Sequence, residues 1–283
     1  MGWQWWVIGG AVALALLAGA GLWVWLRRRP RRPRARRPPR LRYPVVLAHG
    51  ILGFDEVRLG PGKAEYWRGI PARLRRLGAD VRVARVPMVA SVAARAEELA
   101  RAVRSLDAPK VNIIAHSMGG LDARYAIARL GLSDRVASLT TVGTPHRGTP
   151  LADVGTHVLG EGLMLRRLVS AIGIDAGAFY DLTTSRMLGF NREVKDAARV
   201  AYGSYLAKAG SGIGLHPLLL APHLYLRDRA GENDGLVPVS SQRWGEVLGS
   251  VDADHWAQIG WSGKFDAPAF YAEVLRELAG RGF

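Results

Sequence analysis

The six residues Ala115-His116-Ser117-Met118-Gly119-Gly120 follow the apolar run Val111-Asn112-Ile113-Ile114 and precede a helix-like stretch. Ser117 therefore sits where a strand turns sharply into a helix. Such a turn forces strained backbone angles on the serine and brings chain segments close together, so the flanking positions must be small. Ala115, Gly119 and Gly120 meet that demand. The usual pattern is Gly-x-Ser-x-Gly, and alanine in the first glycine position still avoids a bulky side chain. A strand-to-helix connection with small residues around a serine is the bland alternative, so the motif needs support from elsewhere in the chain.

Three further segments supply it. His49-Gly50-Ile51-Leu52-Gly53-Phe54 comes directly after the strand-like Pro44-Val45-Val46-Leu47-Ala48. In the α/β-hydrolase scheme a glycine-containing loop here aims a backbone N–H at an oxyanion, paired with the N–H of the residue after the nucleophile. Those donors are Ile51 and Met118, and His49, Gly50, Leu52 and His116 are expected to line the substrate site. Asn233-Asp234-Gly235-Leu236-Val237-Pro238 is a turn signal whose aspartate can orient an imidazole. The order along the chain in this scheme is serine, acid, histidine. Of seven histidines only His255 lies beyond Asp234. Asp228, Asp252 and Asp254 are rival acids: Asp228 lies between arginines, and the other two crowd His255. His146, like His49 and His116, lines the site or makes structural hydrogen bonds.

Taken together, Val46 to Asp55, Tyr66-Trp67-Arg68-Gly69-Ile70-Pro71, the Ser117 turn, Val142-Gly143-Thr144-Pro145-His146-Arg147-Gly148 and Asn233 to Val237 resemble the bacterial true lipases of the pseudomonad type, over roughly residues 43 to 260. The resemblance implies an α/β-hydrolase fold, hydrolysis of acyl esters of glycerol, and a mobile lid over the serine. Carried over residue by residue, it makes Ser117 the nucleophile, Asp234 the acid, His255 the base, and Ile51 and Met118 the oxyanion donors. Two departures matter. Lipases of that type hold a structural calcium near the histidine, with ligands two and six residues after it; here those positions are Ala257 and Trp261, which offer a hard cation no side-chain oxygen. Many of them also carry a disulfide, whereas this chain has no cysteine, so nothing points to an oxidising compartment. Neither metal nor cofactor is expected.

The N-terminus has a different character. Trp3 to Leu26 contains no charged residue. At about 1.5 Å per residue a helix there reaches about 36 Å, enough for a hydrocarbon core of roughly 30 Å with some tilt. Trp3, Trp5 and Trp6 at one end and Trp23 and Trp25 at the other look like an interfacial aromatic belt. Next come ten arginines between Arg27 and Arg42, broken by prolines and without an acid. The positive-inside rule puts this flank and the domain behind it on the cytoplasmic side. The expectation is a single-pass anchor, residues 1–26, with an Arg/Pro-rich tether, 27–42. The competitor is a signal peptide cut after Ala18-Gly19-Ala20 and a secreted product. Against it, the first residues carry no basic side chain and apolar character continues through Leu22 to Leu26.

The net charge of +15 is concentrated in the tether: outside it 29 basic residues face 24 acidic ones. An arginine block beside a membrane span reads as a topology signal that also binds anionic head groups. Nucleic acid is not an expected partner, since no recognised nucleic-acid fold or aromatic interleaving accompanies the arginines. The remaining 43–283 fits one α/β domain, a mostly parallel sheet flanked by helices. Strand-like runs at 44–48, 81–86, 111–115 and 136–142 alternate with helix-like stretches at 65–77, 90–106 and 117–130, and 268–280 closes the chain. Between about 150 and 220 the pattern loosens, with Leu159, Leu163, Leu165, Leu168, Val169, Ile172 and Ile174 interrupted by glycines. That suits a small helical cap able to swing over Ser117, or a fixed helical excursion packed on the core.

The expected partners are an acyl ester lipid and a membrane. The chemistry is ester cleavage through an acyl-enzyme. An acyltransferase using the same three side chains, and a silent lipid- or partner-binding protein, are the competing classes.

Overall fold

Strand β1, Val45–Ala48, is buried along its whole length, and its alternating side chains belong to two different cores. Val45 and Leu47 face one layer of helices, Val46 and Ala48 the other. A strand covered on both faces reads as an unbroken apolar run, as this one does. The structure, a computed structural model, describes residues 41–51, 56–59, 62–161, 176–210, 215–262 and 265–283.

The central sheet has six strands, all parallel, in the order β4-β1-β5-β6-β7-β8. They are β4 (Val81–Val83), β1, β5 (Val111–His116), β6 (Val136–Val142), β7 (Ala201–Lys208) and β8 (Glu246–Asp252). One face is covered by α2 (Val92–Arg104) and α3 (Gly119–Arg129), which set Leu99, Val103, Ala123 and Ile127 against Val46, Ile113 and Ala115. The other carries α1 (Ile70–Arg76) and α9 (Ala267–Gly280), which set Ile70, Leu74, Tyr271 and Leu275 against Val45, Leu47 and Ile114. Ser91 opens α2 by accepting from the Ala94 N–H, and Asp266 opens α9 by accepting from the Ala269 N–H. Each cap satisfies a donor that the first helical turn leaves over.

The helix expected over 65–77 is shorter. It begins at Ile70, after Gly69 at φ 70° and with Pro71 in its first turn; Glu56–Leu59 (β2) and Gly62–Glu65 (β3) form an antiparallel pair before it. A left-handed glycine followed by a proline is a start signal, and the periodicity alone overlooked it. The segment expected as one cap over 150–220 is divided. α4 (Pro150–Glu161), α5 (Ala176–Tyr180) and α6 (Thr184–Glu193) lie between β6 and β7, and β7 is a strand of the central sheet. The alternation of small, aromatic and polar residues in Ala201–Lys208 hid that strand. The leucines and isoleucines at 163–174 lie outside the described residues. α7 (Leu220–Ala230) and α8 (Val239–Gln242) follow β7.

The expected span at 3–26 and all but the end of the tether lie outside the described residues. Among those that are described, no helix is long and apolar enough to cross a membrane.

Candidate active site

The parallel sheet delivers three loops to one rim, at the C-terminal ends of β5, β7 and β8, the edge where open parallel sheets bind their ligands. Ser117 comes immediately after β5, at φ 55°, the only positive φ of a non-glycine residue among those described. Its N–H donates to Val142 O at 3.0 Å, and its carbonyl accepts from Thr144 Oγ1 at 2.8 Å and the Gly120 N–H at 3.1 Å. A left-handed serine costs of order 1–3 kcal/mol and persists only where its surroundings over-determine it. Glycine is required beside it: a Cβ on Gly119 would stand 2.5 Å from Ala48 O and 2.7 Å from His49 O.

Asp234 lies in the turn beyond α7 and is fully buried. Its Oδ1 accepts from the N–H groups of Leu236 and Val237 at 3.0 and 2.8 Å. Its backbone carbonyl accepts from the His255 N–H at 2.8 Å, which couples the turn to the chain leaving β8. The His255 Nδ1–H donates to Asp234 Oδ2 at 2.8 Å, and the Ser117 hydroxyl donates to His255 Nε2 at 3.0 Å. Hydroxyl, imidazole and carboxylate thus form one hydrogen-bonded line across residues separated by more than a hundred positions.

The rival acids are engaged elsewhere. Asp254 accepts from the Trp256 and Ala257 N–H groups with one oxygen, and from the His216 N–H and Ser262 hydroxyl with the other. Asp252 accepts from the Gly210 N–H, and Asp228 is an exposed partner of Arg229.

Ile51 and Met118 stand on the two loops next to Ser117, and among the described residues neither N–H has a hydrogen-bond acceptor. Gly50 comes so close that a Cβ there would lie 2.7 Å from Ser117 Cβ and 2.9 Å from the Tyr66 hydroxyl. Leu52 lies outside the described residues. His49 is buried, with Nδ1 2.9 Å from Gly50 O. The ring of His116 lies 4.6 Å from that of His255. Burial, followed by the nearby His255, holds the His116 imidazole well below its usual range. His146 stacks on Trp244 and pairs with Thr141 Oγ1 at 3.1 Å, a structural arrangement, and burial depresses it as well.

Three contributors escaped the sequence reading, and a fourth, Tyr66, entered it only as part of a motif, without a role. Arg95 and Asp122 form a buried ion pair at 2.8 Å. A second Arg95 donor reaches His49 O at 2.6 Å, so the pair ties α3 to the loop that carries Gly50 and Ile51. Burial pushes the Asp122 carboxyl up to about 6, against the lowering pull of Arg95. The signal for Arg95 was a charged residue on the buried stripe of α2, three positions after Val92. Tyr66 and Gln258 complete the list. Tyr66 accepts from the Gly50 N–H at 3.0 Å, and Gln258 Nε2 donates to Asp234 Oδ2 at 2.9 Å.

The calcium arrangement of the pseudomonad type does not fit these residues. Trp261, at one ligand position, uses its indole N–H to donate to Tyr66 O at 3.0 Å, and Ala257 has no polar side chain. Among the described residues no group of three His, Cys, Asp or Glu side chains is placed to hold a metal.

Comparison with known proteins gives a consistent picture. A family model described as alpha/beta hydrolase fold matches residues 43–156. The chain is 29% identical to Triacylglycerol lipase 2 of Saccharomyces cerevisiae over 89% of its own length and 95% of that protein. It is 30% identical to a triacylglycerol lipase of Pseudarthrobacter phenanthrenivorans over 77% of its length and 88% of that protein. Among solved structures, the mature lipase BlEst2 of Bacillus licheniformis superposes with a TM-score of 0.66 at 22% identity, over 85% of this chain and 93% of that one.

Proposed function

The chain belongs to the α/β-hydrolase lipases and is a carboxylic ester hydrolase, and from that premise we propose that it cleaves long-chain acyl lipids, acylglycerols first among them, while held at a membrane. In this reading His255 takes the proton from Ser117 as the hydroxyl attacks the ester carbonyl, and Asp234 orients and supports the imidazolium. The N–H groups of Ile51 and Met118 receive the oxyanion. His255 then returns the proton to the departing alcohol, and a water activated by the same imidazole releases the fatty acid. The observation that carries this mechanism is the Ser117–His255–Asp234 line, at 3.0 and 2.8 Å.

The substrate class is supported by the names of the relatives, triacylglycerol lipases of yeast and bacteria. The pseudomonad type is the finer assignment we favour, on the motifs from Val46 to Asp55 and around Ser117, with the calcium site replaced. The membrane reading rests on the uncharged stretch Trp3 to Leu26 and its arginine flank. It gives three parts: an anchor at 1–26, a tether at 27–42, and a catalytic domain at 43–283 on the cytoplasmic side.

One experiment tests the core of the reading. A fluorophosphonate probe should label the wild type and leave Ser117→Ala unlabelled, and a series of p-nitrophenyl esters should favour decanoyl over acetyl. Equal labelling of both proteins refutes the nucleophile, and preference for acetyl refutes the lipid substrate. Transfer to an added alcohol at the expense of hydrolysis identifies an acyltransferase.

A further inference from the structure

Behind the catalytic line runs a second chain of hydrogen bonds that the mechanism above does not use. The Gly50 N–H donates to Tyr66 Oη at 3.0 Å; Tyr66 Oη lies 2.6 Å from His116 Nδ1; His116 Nε2 lies 3.1 Å from Gln258 Oε1; and Gln258 Nε2 donates to Asp234 Oδ2 at 2.9 Å. All three side chains are buried, His116 and Gln258 completely. The chain starts on the loop carrying Ile51 and ends on the carboxylate that holds His255.

Its polarity follows from the donor inventory of each group. A backbone N–H can only donate, so Tyr66 Oη accepts from Gly50, and its own proton goes to His116 Nδ1. That leaves the imidazole proton on Nε2, aimed at Gln258 Oε1, and the amide N–H₂ faces Asp234. The reverse arrangement fails at two points. Flipping the amide sets its carbonyl against the Asp234 carboxylate, and moving the imidazole proton to Nδ1 leaves the Tyr66 hydroxyl proton without an acceptor. A doubly protonated His116 fails in the same way at Tyr66. Burial and the neighbouring His255 keep the ring neutral, and burial raises the Tyr66 hydroxyl, so both stay in the state the chain requires. The groups facing His116 are Tyr66, Gln258 and His255, with the Trp67 ring edge-on.

We propose that Tyr66, His116 and Gln258 are positioning residues that set the oxyanion loop and the Asp234 carboxylate as one unit. The inference rests on the catalytic roles proposed above. Through Gly50 the chain holds the neighbouring Ile51 N–H in place. Through Gln258 it gives Asp234 Oδ2 a second donor beside His255 Nδ1, which fixes the carboxylate plane and tempers its pull on the imidazolium.

The test uses the full-length protein labelled with ¹⁵N-histidine, together with Tyr66→Phe, Gln258→Met and the double variant. In the wild type the His116 ring should be neutral and carry its proton on Nε2 from pH 5 to 8; a proton on Nδ1 overturns the proposal whatever the activity. Each single variant should lose about tenfold in kcat, the worth of one buried hydrogen bond, with KM nearly unchanged. Gln258→Met should also move the acid limb of kcat/KM to higher pH, because Asp234 with one donor fewer holds the protonated imidazole more firmly; Tyr66→Phe should leave that limb in place. The double variant should lose less than the product of the singles, as members of one unit do. Losses that multiply, or a limb unmoved in Gln258→Met while thermal unfolding alone changes, reduce the three to core filling and overturn the proposal. Should Gln258→Met not fold, Gln258→Glu keeps the shape: beside Asp234 its buried carboxyl holds a proton, accepts from His116 Nε2 and donates to Asp234 Oδ2, so activity and limb should stay near the wild type, and a loss as large as that of Tyr66→Phe overturns the proposal. Labelling of wild type against Ser117→Ala decides the catalytic reading separately, and the tautomer measurement does not depend on it.

Discussion

The two halves of the site are held by different physics. Around Ser117 the backbone does the work: a left-handed serine, a glycine whose absent Cβ would collide with the carbonyls of 48 and 49, and a second glycine pressed against the serine from the opposite loop. Around Asp234 and His255 hydrogen bonding to one buried carboxylate does it, with four N–H donors converging there, two from the backbone of Leu236 and Val237 and two from the side chains of His255 and Gln258. The first half should therefore be sensitive to added volume, and the second to a lost polar atom.

That contrast can be broken by substitution. Asp234→Asn keeps the volume and removes the charge, so on the acid–histidine side it should cost about 10⁴-fold in kcat, with the protein still folded, measured on a soluble ester. A loss under tenfold would show that the carboxylate is not the orienting group. Arg95→Met leaves Asp122 buried and unpaired, and urea unfolding should report a loss of about 3–5 kcal/mol. The defect should be larger at pH 8 than at pH 5. An unfolded aspartate ionises near 3.8, whereas folded Asp122, already raised to about 6, binds its proton over a wider range, so stability falls as pH rises through that window. Gly50→Ala adds one methyl on the serine side, 2.7 Å from Ser117 Cβ, and a displacement of about 1 Å there should cost about 10²-fold in kcat. If Gly50→Ala is benign and Asp234→Asn severe, only the polar half of the comparison survives.

The smallest expected effect is on stability alone. His116 and His146 are held neutral by burial, below the 6.5 of an unfolded histidine. Below pH 6.5 the unfolded chain therefore binds protons that the folded one refuses, and stability is lost as pH falls. Each histidine contributes up to about 1.4 kcal/mol per pH unit. The two histidines together outweigh the opposite contribution of Asp122 between pH 5 and 6, so the urea midpoint should be lower at pH 5 than at pH 7, and His146→Gln should flatten the slope.

Much of the scaffold was legible along the chain. Strands β1, β5 and β6 and helices α2, α3 and α9 lie within a few residues of where apolar runs and helical periodicity put them, because each buries a continuous face and so writes it into the sequence. β7 was missed since Tyr202, Gly203 and Ser204 do not look like a core strand, and α1 was drawn too long because Gly69 and Pro71, quoted for the family motif, were not read as a helix start. Asp254 could be ranked below Asp234 by its crowding of His255, but only the four hydrogen bonds to it show what it does instead.

What the chain determined unaided was local: a small-residue turn around Ser117, a turn at Asp234, a last histidine at 255, and an uncharged N-terminal stretch followed by arginines. What tertiary structure decided was every relation across distance, namely the meeting of 117, 234 and 255, the Arg95 clamp on the 49–51 loop, and the run from Tyr66 through His116 to Gln258. The reason is that turn and periodicity signals come from backbone sterics within a few residues, whereas a buried polar group is satisfied by whichever partner the packed sheet brings within 3 Å, and sequence separation says nothing about that.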